Sequence, residues 1–370
     1  MKIYYVSASK VPSRDANSVQ VMKMCQALAR QSHEVTLFAR NNREEGVSYE
    51  YDYYSVEKIF TLHKIDWPQM RFVGGWVYGS KVKKAAGRDL PDLFYGRDKY
   101  SLYHIRSLGV PFAYESHVLP GNKIHRYLEG RMFSSPNFVK LIVTAQALKR
   151  EYLQIYPDLE ESKVQVVHNG ADKRPLEEKA SAGENDGEKL KIGYVGHLYK
   201  GKGMEIIHKL AERLDSGYEF HIVGGREEDI QYWKDQTRDL NIIYHGFVSQ
   251  GELPGYYKKF DVMLAPYQDQ RIKTKHGTID KWPSPLKVIE YMSYGRAIVS
   301  SDLPMTREVL VHRKNSLLCS PEKIDDWVES IRLLREEPTL RRRLAAQAMQ
   351  EFQELYSWES RAAIVLDHVQ

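Results

Sequence analysis

The sequence lacks the features that mark disulfide-rich, zinc-binding and membrane-spanning proteins. Only two of its 370 residues are cysteines, Cys25 and Cys319, and this pair forms neither a disulfide framework nor a metal-ligand pattern. We therefore expect both thiols to lie in the core. No stretch approaches the roughly 18 consecutive apolar residues of a membrane-spanning helix, and the chain begins with a strand-like segment where a signal sequence would stand. These absences predict a globular protein of the cytoplasm.

Hydrophobic residues make up 42% of the chain, which is enough for two domains of ordinary size, each with its own core. The net charge of +5 is unevenly distributed, because residues 1–180 hold 27 Lys and Arg against 20 Asp and Glu, whereas the remaining residues hold 27 against 29. The first half therefore carries +7 and the second −2. Such a bias is typical either of contact with phosphate-bearing or anionic surfaces or of an ordinary solvated surface, and we predict no nucleic-acid partner.

Strand-like and helical segments alternate along the chain in two series, which is the pattern of parallel, doubly wound sheets. Strands of the first series are predicted at residues 2–8, 34–39, 93–95, 111–115, 139–144 and 164–168, and those of the second at 190–196, 219–224, 242–246, 262–265 and 297–300. A polar run containing glycine and proline separates the two series. We therefore predict an α/β fold with two Rossmann-like domains whose parallel sheets face a central cleft. The predicted boundaries are 1–172 for the first domain, 173–189 for the linker, 190–355 for the second domain and 356–370 for a helix that crosses back to the first.

A helix start and a lone carboxylate lie close together just before the last predicted strand. Ser284 is a suitable N-cap and Pro285 suits the first helical position, so the free N–H groups near Leu286 and Lys287 should point outward and attract a phosphate. Glu290 falls near the same helix face, where its carboxylate could accept hydrogen bonds from a diol. The segment predicts half of an active site, with an ordinary helix that has a Ser-Pro start as the alternative.

A glycine-rich loop at Gly193–Gly203 follows a predicted strand and precedes a helix. Its glycines allow close approach of the backbone, and Lys200 and Lys202 supply positive charge, so the loop could hold a diphosphate. It is not a Walker loop, because it has no Gly-Lys-Ser/Thr ending, and it lacks the dinucleotide fingerprint. Lys202 and Glu290 lie in separate strand-loop-helix units of one domain, as a nucleotide diphosphate spanning the sheet edge would require.

Six motifs occur in the order found in family 4 glycosyltransferases of the GT-B fold, and the resemblance covers nearly the whole chain. The motifs are the turn and helix from Ala16 that include Asn17 and Ser18, Glu115-Ser-His117, Asn169-Gly-Ala-Asp172, the loop Gly196–Gly203, the turn Gly246-Phe247-Val248, and the segment Trp282–Val299. The resemblance implies a first domain that binds the acceptor and a second that binds a nucleotide-diphosphate sugar.

The resemblance also implies roles for matching residues. Glu290 would bind the ribose hydroxyls, Lys202 would neutralise the donor diphosphate, and His117 would reach the transferred sugar. The turn at Gly246, Phe247 and Val248 would contact the base, His197, Ser284, Pro285, Leu286 and Lys287 would complete the donor site, and Asn17 and Ser18 would belong to the acceptor-side loop. A buried structural histidine is the alternative for His117, and a solvated helix residue is the alternative for Lys287.

Two positions depart from the family pattern. The first glutamate of the family's pair, which contacts the donor sugar, is replaced by Trp282, and the arginine of the glycine loop is replaced by His197. Some relatives also lack that first glutamate, so its absence does not predict an inactive protein. Asn169 and Asp172 suit either a turn at the linker or a ligand contact.

The implied activity is sugar transfer with retention of anomeric configuration. The leaving phosphate would take the acceptor proton, and the absence of an Asp-x-Asp pair from the sequence agrees with a reaction that needs no metal and no cofactor besides the donor. The predicted partners are a nucleotide-sugar donor and a glycan, lipid-linked or small-molecule acceptor, in cell-envelope polysaccharide synthesis. Two alternatives remain open, a catalytically silent partner subunit and another GT-B enzyme such as a nucleotide-sugar epimerase or a phosphorylase.

Aromatic and basic residues are concentrated between Trp67 and Arg88. The aromatic and apolar members are Trp67, Met70, Phe72 and Trp76, and the basic ones are Arg71, Lys81, Lys83, Lys84 and Arg88. This combination suits peripheral contact with an anionic membrane at its inner face. The alternative is an aromatic cluster that faces the core, with a solvated lysine helix behind it.

Overall fold

The computed structural model describes residues 1–43, 47, 49–70, 72–174, 189–199, 201–249, 251–268, 272–274, 277–279 and 285–367. The chain forms two compact units. The first consists of Met1–His168 together with Trp358–Gln370, and the second consists of Asn169–Ser357. Most of the predicted linker at 173–189, together with Arg71, Lys200, Trp282 and Ser284, lies outside the described residues.

The first unit contains a seven-stranded parallel sheet, within the part of the chain that the structure describes, in the order β3-β2-β1-β4-β5-β6-β7. The strands are β1 (Lys2–Val11), β2 (Glu34–Asn41), β3 (Thr61–Ile65), β4 (Leu93–Gly96), β5 (Phe112–Ser116), β6 (Phe138–Val143) and β7 (Val164–Val166). The helices between them are α1 (Ala16–Arg30), α2 (Glu50–Tyr53), α3 (Gly74–Ala86), α4 (Lys99–Ile105), α5 (Lys123–Phe133) and α6 (Gln146–Ile155). The strand order reverses between β1 and β4, so ligands are expected beyond the carboxyl ends of the strands near that point.

The second unit repeats this plan with a six-stranded parallel sheet, counted over the same described residues, in the order β10-β9-β8-β11-β14-β15. Its helices are α7 (Met204–Arg213), α8 (Glu227–Gln236), α9 (Leu253–Tyr257), α10 (Leu286–Ser293), α11 (Pro304–Arg307), α12 (Ile324–Glu336) and α13 (Pro338–Glu351). Its strands are β8 (Leu190–Val195), β9 (Tyr218–Val223), β10 (Ile242–Gly246), β11 (Val262–Ala265), β14 (Ala297–Ser301) and β15 (Leu317–Cys319), and β12 (Ile272–Thr274) pairs with β13 (Gly277–Ile279) in a separate antiparallel hairpin. The order reverses between β8 and β11, which makes the loops after these two strands the expected ligand site.

Both sheets form because short apolar runs are buried on both faces. Every residue of β11 and of β14 is buried, as expected for central parallel strands covered by helices on each side. The predicted α/β class with parallel sheets is confirmed. Cys25 and Cys319 are both free and buried, in agreement with the prediction of core thiols.

A short helix, α14 (Trp358–Leu366), completes the first unit, although it follows the second unit in the sequence. It packs on α1, and its Trp358, Ala362 and Val365 join the hydrophobic core that includes Met24 and Leu28. Before it, α13 ends at Glu351 and a short π-helical turn spans Phe352–Tyr356. None of the helices in the described ranges is both long enough and apolar enough to span a bilayer.

Candidate active site

The glycine-rich loop after β8 is held by a buried tyrosine at the end of that strand. The hydroxyl oxygen of Tyr194 lies 2.7 Å from the carbonyl oxygen of His197 and 3.0 Å from that of Lys202. The ring of Tyr194 is fully buried, so its hydrogen bonds hold the loop at the end of β8, next to the point where the strand order reverses between β8 and β11. The backbone around Lys202 therefore has a fixed position at the expected ligand edge of the sheet.

Lys287, in the first turn of α10, extends to the same tyrosine. Its Nζ lies 3.8 Å from the centre of the Tyr194 ring, a cation–π contact. A Cβ at Gly196 would come within 2.9 Å of that Nζ and would displace the end of the lysine side chain, and the φ of 152° at this position also favours glycine. The helix itself is tied to β8, because the N–H of Val195 donates to the Tyr291 hydroxyl at 3.0 Å.

The environment of Lys287 disfavours its positive charge. Burial, and after it the nearby charge of Lys202, lower the pKa of Lys287 to about 7, against the opposing effect of Glu290. Lys202 and Lys287 are thus close enough to repel each other, and Glu290 offsets that repulsion only in part. A bound anion would favour the charged form of Lys287.

His197 lies beside these lysines and is neutral at pH 7. Partial burial, and then the charges of Lys202 and Lys287, lower the pKa of His197 below its ordinary value of 6.5. Its ring packs at 5.5 Å from that of Tyr199. A neutral imidazole can donate one hydrogen bond to a phosphate oxygen, but it contributes no net charge.

Glu290 occupies the same helix as Lys287, one turn further along. Burial raises the pKa of Glu290, and the charge of Arg174 and the neighbouring Tyr257 oppose that rise. Arg174 in turn lies over the ring of Tyr294, with its Cζ 4.6 Å from the ring centre. Lys287 therefore interacts electrostatically with both Lys202 and Glu290.

The turn after β10 presents an exposed aromatic side chain on a fixed backbone. Phe247 is 84% exposed, and Gly246 before it has φ 72°, a left-handed conformation that favours glycine. The Gly246 carbonyl accepts a hydrogen bond from the Gly224 N–H at 2.7 Å, which joins the turns after β9 and β10. Val248 is half-buried against the core of the unit.

Two histidines, one on β9 and one on β10, contact each other next to this turn. His221 Nδ1 lies 2.9 Å from His245 Nε2, the two rings stack nearly parallel, and His221 Nε2 lies 2.8 Å from the carboxylate of Glu219. Since His245 directly precedes Gly246, the pair fixes the direction in which the turn leaves the strand.

The predicted start of α10 is corrected by one residue. Pro285 takes the N-cap position, with φ −75° and ψ 63°, and the helix begins at Leu286 and not at Pro285. Proline has no N–H to offer, so the outward N–H groups begin at Leu286 and Lys287, where the sequence places them. Ser284, the predicted N-cap, and Trp282 lie outside the described residues.

In the first unit, His117 lies just beyond the end of β5 and is hydrogen-bonded to Glu115. Its Nε2 lies 2.6 Å from Glu115 Oε1, and its side chain is partly exposed. Burial, and then the charge of Arg97, lower the pKa of His117 to about 4 against the opposing effect of Glu115. His117 is therefore neutral at pH 7. Because a carboxylate can only accept, Nε2 carries the proton and Nδ1 is an acceptor.

Asn17 and Ser18 differ from their predicted position in a loop. Both were expected in a loop on the acceptor side, but β1 continues to Val11 and α1 begins at Ala16, so both lie in the first helical turn. Asn17 is exposed, whereas Ser18 is buried and donates to the Lys10 carbonyl at 2.7 Å. Ser18 therefore links the start of α1 to the end of β1.

Several residues that contact the candidate site residues in each unit were not identified from the sequence. They are Tyr194, Arg174 and Tyr257 in the second unit, and Gln20, Tyr95 and Arg361 in the first. One signal was available for Arg361, since it shares the apolar stripe of α14 with Trp358, Ala362 and Val365 at helical spacing. A charged residue on such a stripe predicts a buried ion pair.

Two family models match the chain in succession. Residues 18–174 match Glycosyltransferase Family 4, and residues 176–351 match Glycosyl transferases group 1. An uncharacterized 41.2 kDa protein in the cps region of Klebsiella pneumoniae is 26% identical over 46% of this chain and 45% of its own length. An uncharacterized glycosyltransferase of Haemophilus influenzae is 28% identical over 40% of this chain and 39% of its own length. The chain thus matches less than half the length of either relative.

Solved structures share the fold over nearly the whole chain. Anabaena HepE in complex with UDP superposes with a TM-score of 0.71 at 15% identity, covering 99% of both chains. The lipopolysaccharide outer core galactosyltransferase WaaB, in its apo form, has a TM-score of 0.68 at 16% identity and covers 99% of this chain and 98% of its own. These likenesses show the fold, and the two family models, which together match residues 18–174 and 176–351, show that the chain belongs to the family 4 type of glycosyltransferases with the GT-B fold.

Proposed function

We propose that the protein is a retaining, metal-independent glycosyltransferase that takes a sugar from a nucleotide-diphosphate donor. The observation that carries the proposal is the contact of the Lys287 amine with the ring of Tyr194, whose hydroxyl donates to the Lys202 carbonyl in the glycine-rich loop. Lys202 acts electrostatically on Lys287 near the strand order reversal of a Rossmann-like sheet, and Glu290 lies one helical turn beyond Lys287. A diphosphate and a ribose have complementary charge and hydrogen-bonding groups for such a site.

The lysines would act on the leaving group. When the bond between the sugar and the diphosphate breaks, negative charge grows on the phosphate oxygens, and cations already in position stabilise it without reorganising. Lys202 and Lys287 supply that charge, His197 can add one hydrogen bond, and the first N–H groups of α10 can add further donors. Glu290 would accept the ribose hydroxyls, and Phe247 would cover the base.

His117 would contact the sugar through Nδ1, the nitrogen left as an acceptor by its bond to Glu115. In the mechanism we propose, the acceptor oxygen attacks the anomeric carbon from the face that the leaving phosphate vacates. The acceptor proton passes to that phosphate, so the configuration is retained and no protein nucleophile is required.

A donor with uridine is the first choice to test, since structures of Anabaena HepE, which share this fold, hold UDP and UDP-glucose. A panel of UDP-, GDP- and ADP-sugars should raise the melting temperature with one base preferred, because a ligand that binds only the native state stabilises it. Matched measurements on the Glu290→Ala variant should show a smaller rise. If no nucleotide stabilises the protein, the proposed donor site is wrong.

Donor turnover with a cell-envelope acceptor extract distinguishes an active transferase from a catalytically silent partner subunit. The silent alternative is favoured by one observation, the tryptophan at position 282 in place of the family's first glutamate. An active enzyme releases UDP in the presence of acceptor, and Lys202→Ala lowers the rate of that release. A silent subunit binds nucleotide and releases none.

For the acceptor, we propose a lipid-linked or cell-envelope glycan reached through membrane contact of the first unit. The segment before and at the start of α3 exposes apolar side chains, with Phe72 92% exposed, Met70 53% and Trp76 44%. Phe72 also has φ 67°, a backbone conformation that costs a bulky residue about 1–3 kcal/mol. An exposed aromatic residue kept at that cost suits a membrane interface.

The alternative expectation, an aromatic cluster facing the core, fits only Trp67. Its ring packs on Tyr78 and beneath the guanidinium of Arg40, which lies 3.8 Å from the ring centre. Trp76 is supported on one side by His104, at 4.4 Å between ring centroids, and keeps the other side exposed.

Co-sedimentation with vesicles tests the membrane contact. The protein should sediment with anionic vesicles at low salt, and binding should fall with added salt and on changing Lys81, Lys84 and Arg88, all exposed, to glutamate. Phe72→Asn should also weaken binding without unfolding, because asparagine tolerates φ > 0. The matched control changes three exposed lysines of the second unit to glutamate, namely Lys209, Lys234 and Lys258. Protein that stays in the supernatant at low salt would favour a soluble acceptor.

A further inference from the structure

A fully buried arginine of the C-terminal helix is hydrogen-bonded to the carboxylate that orients His117. Arg361 is 0% exposed, and its Nη2 donates to Glu115 Oε1 at 2.9 Å. Its Nε donates to the His168 carbonyl at 3.0 Å, and its Nη1 lies 3.4 Å from the Tyr95 hydroxyl. The guanidinium is therefore fixed in one orientation by three elements of the first unit.

Glu115, which is 1% exposed, receives hydrogen bonds from four side chains. Its Oε1 accepts from Gln20 Nε2 at 2.6 Å, from His117 Nε2 at 2.6 Å and from Arg361, and its Oε2 accepts from the Tyr95 hydroxyl. Burial alone would raise the pKa of Glu115, but the charge of Arg361 and the hydrogen bond from His117 hold it well below its ordinary value. The carboxylate thus stays ionised and saturated with donors.

This arrangement determines which nitrogen of His117 carries the proton. An ionised Glu115 accepts from Nε2–H and leaves Nδ1 as an acceptor, whereas a protonated Glu115 would itself become a donor and release the ring. Arg361 is buried, carries a full positive charge and contacts Glu115 directly. The other charged or titratable groups that face the pair are Tyr5 from β1, Tyr95 from β4 and Arg97 from the loop after β4.

We propose that Arg361 is a positioning residue for sugar transfer, because through Glu115 it holds His117 in the tautomer whose Nδ1 accepts a hydrogen bond from a sugar hydroxyl. The proposal rests on the function proposed above for His117. It assigns to α14, which follows the second unit in the sequence, an indirect part in the chemistry of the first unit, through Glu115 and His117.

Histidine tautomers measured by ¹⁵N NMR test the proposal without any substrate, with the His117 signals assigned from the His117→Asn variant. In the wild type, Nε2 should be protonated and the ring should stay neutral down to about pH 4. In Arg361→Met, Glu115 loses the positive charge that compensates its own. Glu115 and His117 together should then bind a proton at least about tenfold more tightly, and the His117 ring should no longer be held in a single tautomer. Arg361→Lys should retain much of the wild-type behaviour.

The matched control is Glu359→Gln, which breaks the ion pair of α14 with Arg30 at 2.8 Å and leaves Glu115 untouched. It should lower the melting temperature and leave the His117 titration unchanged. In transfer assays, Arg361→Met should lower kcat about 10- to 100-fold, while UDP affinity stays the same. The apparent pKa on the acidic side of its pH–rate profile should be higher than in the wild type.

Two results would overturn the proposal. One is a His117 titration in folded Arg361→Met identical to that of the wild type. If that variant does not fold, the wild type alone decides, because protonation on Nδ1 or titration near pH 6.5 contradicts the assigned tautomer. A failure of the function proposed for His117 can be told apart from a failure of the role proposed for Arg361. In that case His117→Ala would leave sugar transfer unaffected, while the NMR results would stay as expected.

Discussion

Replacing Lys287 by methionine should change how donor binding depends on pH. In the free protein the pKa of Lys287 is about 7, so the side chain is close to half protonated at neutral pH. A bound diphosphate favours the charged form, since an anion beside the lysine reverses the effect of Lys202. The protein should therefore take up a proton when it binds the donor.

The size of the effect follows from the pKa. If the bound lysine is fully protonated, uptake should be about 0.5 proton at pH 7 and about 0.9 at pH 8, and donor affinity should fall towards tenfold per pH unit above neutrality. Titration calorimetry with UDP-glucose in buffers of different ionisation enthalpy measures this directly, because the diphosphate of that donor has no group that titrates near pH 7.

Lys287→Met should abolish most of the uptake and weaken donor binding by about 1.5–3 kcal/mol, the value of a hydrogen bond to a charged group. It should also raise the melting temperature of the free protein at pH 7. The native pKa lies below the ordinary 10.5, so the native state binds fewer protons than the unfolded state between about pH 7 and 10.5, and stability rises with pH across that window. The variant removes this slope.

The matched control for this experiment is Lys209→Met, which removes an exposed lysine from α7. It should leave both the proton uptake and the donor affinity unchanged. If Lys287→Met takes up as many protons on binding as the wild type, Lys287 is not the group that titrates and the reasoning is refuted.

Three further expectations concern the same site. Glu290→Ala should weaken nucleotide binding by about 1.5–3 kcal/mol and leave the fold intact, which calorimetry and a melting curve would check together. Lys202→Ala should lower kcat more than it raises the KM for the donor, because charge on the diphosphate grows towards the transition state; an effect on KM alone would contradict that role. Transfer should continue unchanged in excess chelator, whereas a loss restored by a divalent cation would refute metal independence.

Prediction from sequence succeeded where a single local pattern decides the structure. The run Val262–Ala265 is apolar throughout and is β11 to the residue, because a strand buried on both faces needs no polar position. Edge strand β3 was missed, since Thr61–Ile65 is mostly polar and only Ile65 is buried. Strand β1 was predicted to end at residue 8 because the polar residues from Ser9 onward are typical of a loop, yet the Ser9 hydroxyl accepts a hydrogen bond from the Ser7 hydroxyl at 2.8 Å inside the unit.

In the candidate site, the motif residues could be found in the sequence, but their environments could not. Nothing in the order of residues places the Lys287 amine on the Tyr194 ring, because that contact joins a helix to a strand far away in the chain. The same holds for Arg361 and Glu115, which are brought together only by the docking of α14. Tertiary packing, which sets burial and charge, lies beyond any local pattern.

The division of the first unit into two separate stretches of chain has a consequence for synthesis. The polypeptide emerges with Met1–His168 first, but the face of α1 that receives Trp358 and Ala362, and the carboxylate of Glu115 that receives Arg361, stay uncovered until α14 has been made. The second unit, Asn169–Ser357, is continuous and has emerged by then. The unit that comes later in the sequence is therefore the one that can complete its core first.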